Sequence, residues 1–319
     1  MRVRHSVLFA SLLALPALAA CGGSDSAQSG ELENRSDAGG ASAAATVSPP
    51  VVEVAARDFA FDAPAEIASG WTTLRFRNLG AQEHFMSFSR LPDDKTLDDY
   101  IAEVAAGAFG TAMEPYYEGE VELASALETL LGLIPEWFGQ MVFSGGPGLL
   151  APGLSQDVTV NLEPGNYVLE CYVKTPDGMF HSALGMIAGL TVTSAETGAD
   201  EPEADFDVTL ANYVIEAPDQ VAAGSQTIRV RVIQDPEGML KHDVHLVRVT
   251  EETDLGAVIP WMSWIDGMEA PAPATFVGGM EQLEAGHSGY LSVDLEPGSY
   301  AWLSEAYADQ GMVKEFVVE

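Results

Sequence analysis

The feature that most constrains this chain is an internal duplication. Residues 143–171, FSGGPGLLAPGLSQDVTVNLEPGNYVLEC, match residues 276–304, FVGGMEQLEAGHSGYLSVDLEPGSYAWLS, without a gap at an offset of 133. Phe143 falls on Phe276, Gly145 and Gly146 on Gly278 and Gly279, and Tyr167 on Tyr300. The run Leu162-Glu163-Pro164-Gly165 falls on Leu295-Glu296-Pro297-Gly298. Upstream, His84–Arg90 aligns with His242–Arg248 at an offset of 158, so the first half carries 25 more residues between the two blocks. A duplicated domain is the economical explanation.

Each half carries the pattern of a Greek-key β-sandwich. In the first, alternating or β-branched runs occupy 51–57, 72–77, 84–91, 156–162, 166–172 and 187–193. The second repeats them at 206–214, 226–233, 243–249, 289–294, 299–305 and 312–318, again between Gly, Pro and Asn turns. The Leu-x-Pro-Gly-x-Tyr segment before the penultimate strand is the pattern of a tyrosine corner, whose hydroxyl ties an arch of the sandwich to its own backbone. The paired glycines near 145 and 278 suggest turns. Between 95 and 135 the pattern shifts to helix, opening on Thr96-Leu97-Asp98-Asp99-Tyr100, and an insertion capping one end of the sandwich is expected.

The N-terminus has the form of an export signal: Arg2 and Arg4, an apolar run from Val7 to Leu15, then small residues up to Cys21. Leu18-Ala19-Ala20-Cys21 resembles the bacterial lipobox, which implies acylation of Cys21 and a membrane anchor through the N-terminal lipid. The expected domain map is a signal peptide over 1–20, a flexible tether over 21–49, a first sandwich over 50–194, a polar acidic linker over 195–204 and a second sandwich over 205–319. The expected location is the cell envelope of a bacterium, on its periplasmic or surface side.

Fourteen basic residues against 48 acidic ones leave a net charge of −34, with only four lysines. Such a surface repels phosphate, so nucleic-acid binding is not expected. With 47% hydrophobic residues the chain still has material for sizeable cores. The acidic skin suits docking to a basic protein partner.

With Cys21 lipidated, Cys171 is the one thiol left, and no intramolecular disulfide can form. Its neighbourhood reads Cys171, nine residues, His181, four residues, Met186, then an apolar strand; His84 opens a strand far upstream. One thiolate, two imidazoles and a thioether are ligands that suit copper. A sandwich can bring one ligand from an early strand and three from a late loop to the same end. A lone buried cysteine acting as a small hydrophobe is the competing reading. Imidazole nitrogens and the thiol sulfur within roughly 4 Å of one another would decide for the metal.

The chain here resembles the cupredoxin family, of plastocyanin and azurin type. The matching residues are Gly165-Asn166-Tyr167 leading to Cys171, and His181-Ser182-Ala183-Leu184-Gly185-Met186 leading into the last strand. The resemblance implies an all-β fold of two tandem cupredoxin-like sandwiches, the first with a helical insertion. It implies one type 1-like copper held by His84, Cys171, His181 and the axial Met186, and a role in electron transfer or copper handling; the acidic surface then suits a basic redox or copper-delivery partner. Met86 and Met179 are the alternative axial candidates. The family's electron carriers place the second histidine only a few residues after the cysteine, so the nine-residue spacer points to a longer, softer loop.

In the second half Ser304 stands at the cysteine position and the following loop is seven residues shorter and without histidine. His242 and His245, three apart on a strand, point to opposite faces, and His287 lies in a turn. The second half is therefore expected to lack the copper ligands and to serve as a structural or docking module. Nucleophile-elbow, zincin, phosphate-loop and dinucleotide motifs are all missing, so a carrier or metal-binding protein is expected rather than an enzyme. Two rivals are a metal-free binding lipoprotein and an oxidase- or nitrite-reductase-like enzyme.

Overall fold

The computed structural model describes residues 46–319. The signal-like segment and Cys21 lie outside the described residues. The first half contributes β1 (Val51–Arg57), β2 (Ala60–Asp62), β3 (Glu66–Asn78), β4 (Ser87–Arg90), β5 (Val142–Phe143), β6 (Ser155–Leu162), β7 (Gly165–Glu170) and β8 (Ile187–Glu196). The second contributes β9 (Phe206–Ala211), β10 (Val214–Glu216), β11 (Gln220–Val221), β12 (Gly224–Val232), β13 (His242–Val249), β14 (Thr275–Leu283), β15 (Ser288–Leu295), β16 (Gly298–Leu303) and β17 (Val313–Val318). The fold is all-β, built as two sandwiches.

One sheet runs through both halves in the order β10-β9-β12-β15-β6-β3, with β1 beside β3 and β2 beside β1. Against it lie β8-β7-β4-β5 in the first half and β11-β17-β16-β13-β14 in the second. Strand β3 serves both sheets of its half: Gly70–Arg77 pair with β6, while Glu66–Ser69 pair with β8. The crossing falls at Gly70, whose φ of +100° excludes most side chains and whose missing Cβ would lie 2.7 Å from Thr197 Oγ1.

Strand alternation builds the cores. Thr72, Leu74, Phe76 and Asn78 of β3 face inward with Val158, Val160 and Leu162 of β6, and Ile228, Val230 and Val232 of β12 repeat the pattern. Each large apolar side chain buried in this way contributes about 1.5–3 kcal/mol against its exposed state. Both tyrosine corners form: Tyr167 Oη donates to Glu163 O at 2.9 Å and Tyr300 Oη to Glu296 O at 3.1 Å.

The duplication appears as a pseudo-twofold relation. Strands β6 and β15 are copies of one another and pair antiparallel, with Val158 opposite its own counterpart Leu291. The same happens where the halves meet, since Pro147 bridges to its counterpart Met280, and Ser144 and Leu150 bridge to Leu283 and Val277. Gly278 and Gly279 are therefore not turn residues; they lie inside β14 with φ of +146° and +155°. A Cβ on Gly279 would sit 2.5 Å from Val244 O, so glycine lets β14 lie close against β13, and a Cβ on Gly148 would sit 2.7 Å from Gly279 Cα, so glycine there lets the backbones of the two halves approach.

The expected helical insertion is present. Thr96 caps α1 (Leu97–Asp99) through a reciprocal capping box with Asp99. The chain continues as a π-wound segment, Tyr100–Gly110, followed by α2 (Thr111–Tyr117) and α3 (Leu123–Leu133). Among the described residues no helix is long and apolar enough to cross a membrane.

Candidate metal centre

His84, Cys171 and His181 come together from three places. His84 lies just before β4 and exchanges main-chain hydrogen bonds with Leu150. Cys171 follows β7, and its N–H donates to Met186 O at 3.1 Å. His181 lies ten residues on, its N–H donating to Val173 O and its O accepting the Met186 N–H. These bonds lash the end of β7 to the start of β8, and all four side chains are fully buried.

Cys171 Sγ lies 3.8 Å from His84 Nδ1 and 3.7 Å from His181 Nδ1, and the two Nδ1 atoms are 3.2 Å apart. The point equidistant from the three atoms lies roughly 2.1 Å from each, where metal–nitrogen and metal–sulfur bonds of comparable ions run about 2.0–2.3 Å.

The outward nitrogens explain why both Nδ1 atoms face the centre. His84 Nε2 is 2.7 Å from Asp58 Oδ1, and His181 Nε2 is 3.0 Å from Gln82 Oε1. Both partners are acceptors, so each Nε2 carries the hydrogen and each Nδ1 presents a lone pair inward. Phe59 packs on the His181 ring at 4.6 Å between centroids. Gly80 is required here as well, since a Cβ on it would lie 2.6 Å from His84 Nε2. No motif marks Asp58, Gln82 or Gly80: Gly80 and Gln82 lie shortly before His84 in sequence, whereas Asp58 sits in the turn between β1 and β2 and reaches the site only through the fold.

Electrostatics favour neutral rings. Burial pushes His181 down to about 3, helped by the neighbouring His84 ring and opposed by Asp58. Burial also lowers His84 against the pull of Asp58. Burial works to raise the Asp58 carboxyl, but the Ala81 N–H and the His84 ring outweigh it, and the group is held below its ordinary value. Burial pushes the Cys171 thiol up, with the N–H groups of Phe85 and Val173 opposing. Two neutral imidazoles and a buried thiol turned on one point, with two inward lone pairs and at most the one thiol proton to share between them, form a cation site: a soft cation bound there would displace the thiol proton and relieve the burial cost.

Met186 is fully buried and tied by its main chain to both Cys171 and His181, whereas Met179 is 47% exposed and takes no part. Met86 packs in the hydrophobic core. The nine-residue spacer is not an open loop. It folds back as a hairpin in which Lys174 bridges to Phe180 and Thr175 N–H donates to Met179 O. Lys174 is 1% exposed; its ammonium donates to Ile265 O and lies 4.9 Å from the Tyr117 ring centre, and its main chain bonds to Met268 and Ala270. The second half therefore holds the hairpin in place.

Glu170 and Tyr172, on either side of Cys171, face a cavity of about 860 Å³ under the helical insertion, whose lining includes Phe109, Met113, Phe138 and Trp264. Tyr100 Oη donates to Glu170 Oε2 at 2.7 Å and ties the insertion to this strand.

Fold and site together define a tandem β-sandwich protein with a buried centre of two histidines, one cysteine and one methionine. Its structural neighbours are cupredoxins. Reduced auracyanin from Roseiflexus castenholzii is 22% identical over 46% of this chain and 98% of its own, with a TM-score of 0.27. An azurin from Methylomonas sp. strain J is 11% identical over 36% of this chain and 99% of its own, with a TM-score of 0.28. A multicopper oxidase is 14% identical over 84% of this chain and 88% of its own, with a TM-score of 0.23. At such scores the likeness carries no weight of its own, and the fold and site stand on the strand registers and distances above. No family model and no curated protein matches the chain.

Proposed function

We propose that this chain is an envelope-anchored copper protein that passes single electrons through a type 1-like centre of His84, Cys171, His181 and Met186. The observation that carries the reading is the convergence of two lone-pair nitrogens and one sulfur on a point at bonding distance from all three. Copper bound there would supply the one-electron couple. The protein's part is to keep the geometry fixed in both oxidation states. Asp58 and Gln82 hold the rings, the Cys171–Met186 and His181–Met186 main-chain bonds hold the loop, and full burial excludes water. No donor is left facing solvent, which favours a carrier over a catalyst that must admit substrate to the metal.

The net charge of −34 supports docking to a basic redox or copper-delivery protein, with association weakening as salt is raised. Cys21 is proposed as the site of lipid attachment, and mass spectrometry of the membrane fraction showing an unmodified Cys21 removes the anchor from this reading.

The metal reading is tested by titrating the purified mature chain with Cu(II) and recording visible spectra. One equivalent of copper and an intense thiolate-to-copper band, both lost in Cys171→Ala, support it. Absence of stoichiometric copper in either oxidation state favours a metal-free binding protein. Reversible voltammetry of the loaded protein then separates an electron carrier from a copper store.

A further inference from the structure

Where the halves meet, the second half buries a group of ionisable side chains that the soft-metal centre does not use. Asp243 and His245 on β13, Glu281 on β14 and Glu305 just beyond β16 are each at most 2% exposed. Ligand atoms of Asp243, His245 and Glu305 lie within 4.8 Å of one another. His245 Nε2 is 3.9 Å from both Asp243 Oδ1 and Glu281 Oε1.

The carboxylates are half-anchored. Asp243 Oδ1 accepts the Glu305 N–H at 2.7 Å, and Glu305 Oε2 accepts the Tyr172 hydroxyl at 2.9 Å. Asp243 Oδ2, Glu305 Oε1 and both oxygens of Glu281 have no hydrogen-bond partner among the described residues, and neither has His245 Nε2. One oxygen fixed by the protein and the other left free is how a ligating carboxylate is oriented.

The framework does not require this charge. In the first half the aligned positions are Phe85, Ser87, Gly148 and Tyr172, none of them acidic. The one buried ammonium acting on Glu305, that of Lys174, does so at a distance: it donates to Ile265 O and lies over two aromatic rings, and among the described residues it makes no ion pair with the carboxylates.

His245 narrows the ligand chemistry. Its Nδ1 accepts the Leu149 N–H at 3.0 Å, so the neutral ring carries its hydrogen on Nε2 and faces the carboxylates as a donor. The remaining donors are oxygens, and oxygen-only sites select hard divalent cations. We propose that Asp243 and Glu305, whose ligand atoms lie close together, hold one hard divalent cation of the Mn²⁺, Ca²⁺ or Mg²⁺ class between the two halves, with Glu281 as the further carboxylate beside His245 and His245 orienting the carboxylates rather than ligating.

The proposal is independent of the copper reading, and the experiment keeps them apart. Metal-stripped full mature chain is titrated calorimetrically with MnCl₂, CaCl₂ and MgCl₂ in turn. The expected result is saturable uptake of one equivalent of at least one of the three, unchanged in Cys171→Ala. Tyr172→Phe weakens it about 10- to 100-fold by freeing Glu305, and Glu281→Gln weakens it further. The cation raises the melting temperature of the wild type but not of Glu281→Gln. No saturable uptake of any of the three by the wild type overturns the proposal, as does wild-type affinity in Glu281→Gln. Should that variant fail to fold, Glu305→Gln takes its place with the same two readings.

Discussion

Two copies of one sandwich put their chemistry on opposite faces of the same strands. In the first half, His84 and Cys171 carry the metal donors, and the next residues along, Phe85 and Tyr172, pack ring to ring at 4.6 Å. In the second half the aligned pair is His242 and Ser304, and the next residues along are Asp243 and Glu305. His242 is caged by Tyr213 and Tyr307, at 5.9 and 5.4 Å, while the carboxylates gather on the other face with Glu281. Because side chains alternate along a strand, a shift of one residue moves the polar chemistry from inside the sandwich to the seam between sandwiches. The framework of corners, glycines and paired strands is common to both, so the fold alone does not decide what either half binds.

The comparison breaks most visibly at the cysteine. Cys171→Ala should abolish stoichiometric copper uptake, while Ser304→Cys in the wild type should add no second equivalent, because no second imidazole accompanies His242; copper per chain measured after desalting checks both. Next come the glycines of the seam. Gly279→Ala drives a Cβ to 2.5 Å from Val244 O and 2.8 Å from His245 Cα, and should cost about 1–3 kcal/mol or more in urea unfolding. Its counterpart Gly146, which meets Met86 O in the same way, should cost as much. Gly198→Ala, at φ +65° with nothing within 4 Å, should cost only about 1–2 kcal/mol.

Asp58→Ala should lower copper affinity about 10- to 100-fold by freeing the His84 ring, without removing a ligand; competition with a chelator of known affinity measures it. The seam titrates differently. Burial, opposed by the Glu305 N–H, lifts the Asp243 carboxyl from 3.8 to about 7. The folded state then keeps a proton that the unfolded state loses, so this contribution to stability is present below about pH 3.8 and disappears as the pH rises to about 7. Metal-free wild type should therefore lose more melting temperature than Asp243→Asn between those values. Smallest are the corners: Tyr167→Phe and Tyr300→Phe should each cost about 0.5–1.5 kcal/mol and by similar amounts, since each removes one hydrogen bond of the same kind.

Much of this was legible in the order of residues. Each run read as a strand contains one, Thr96 opens the insertion, and the spacing of Cys171, His181 and Met186 marked the loop that carries the centre. The rest depends on contacts between distant segments. Strand β14 was hidden because Gly278 and Gly279 look like a turn until the other half is packed against them. The nine-residue spacer looks soft in isolation and is stiffened by Lys174 and by main-chain bonds to Met268 and Ala270. The carboxylate seam had no local signature at all: Asp243, Glu281 and Glu305 are three acidic residues among 48, and only burial sets them apart.

The central claim is that four side chains remote in sequence clasp one copper ion at the end of the first sandwich. X-ray absorption at the copper edge of the loaded protein tests it most directly. The expected spectrum shows two nitrogen scatterers at about 2.0 Å and one sulfur at about 2.3 Å, with the sulfur lost in Cys171→Ala. A first shell of oxygen and nitrogen only, unchanged by that substitution, would contradict it.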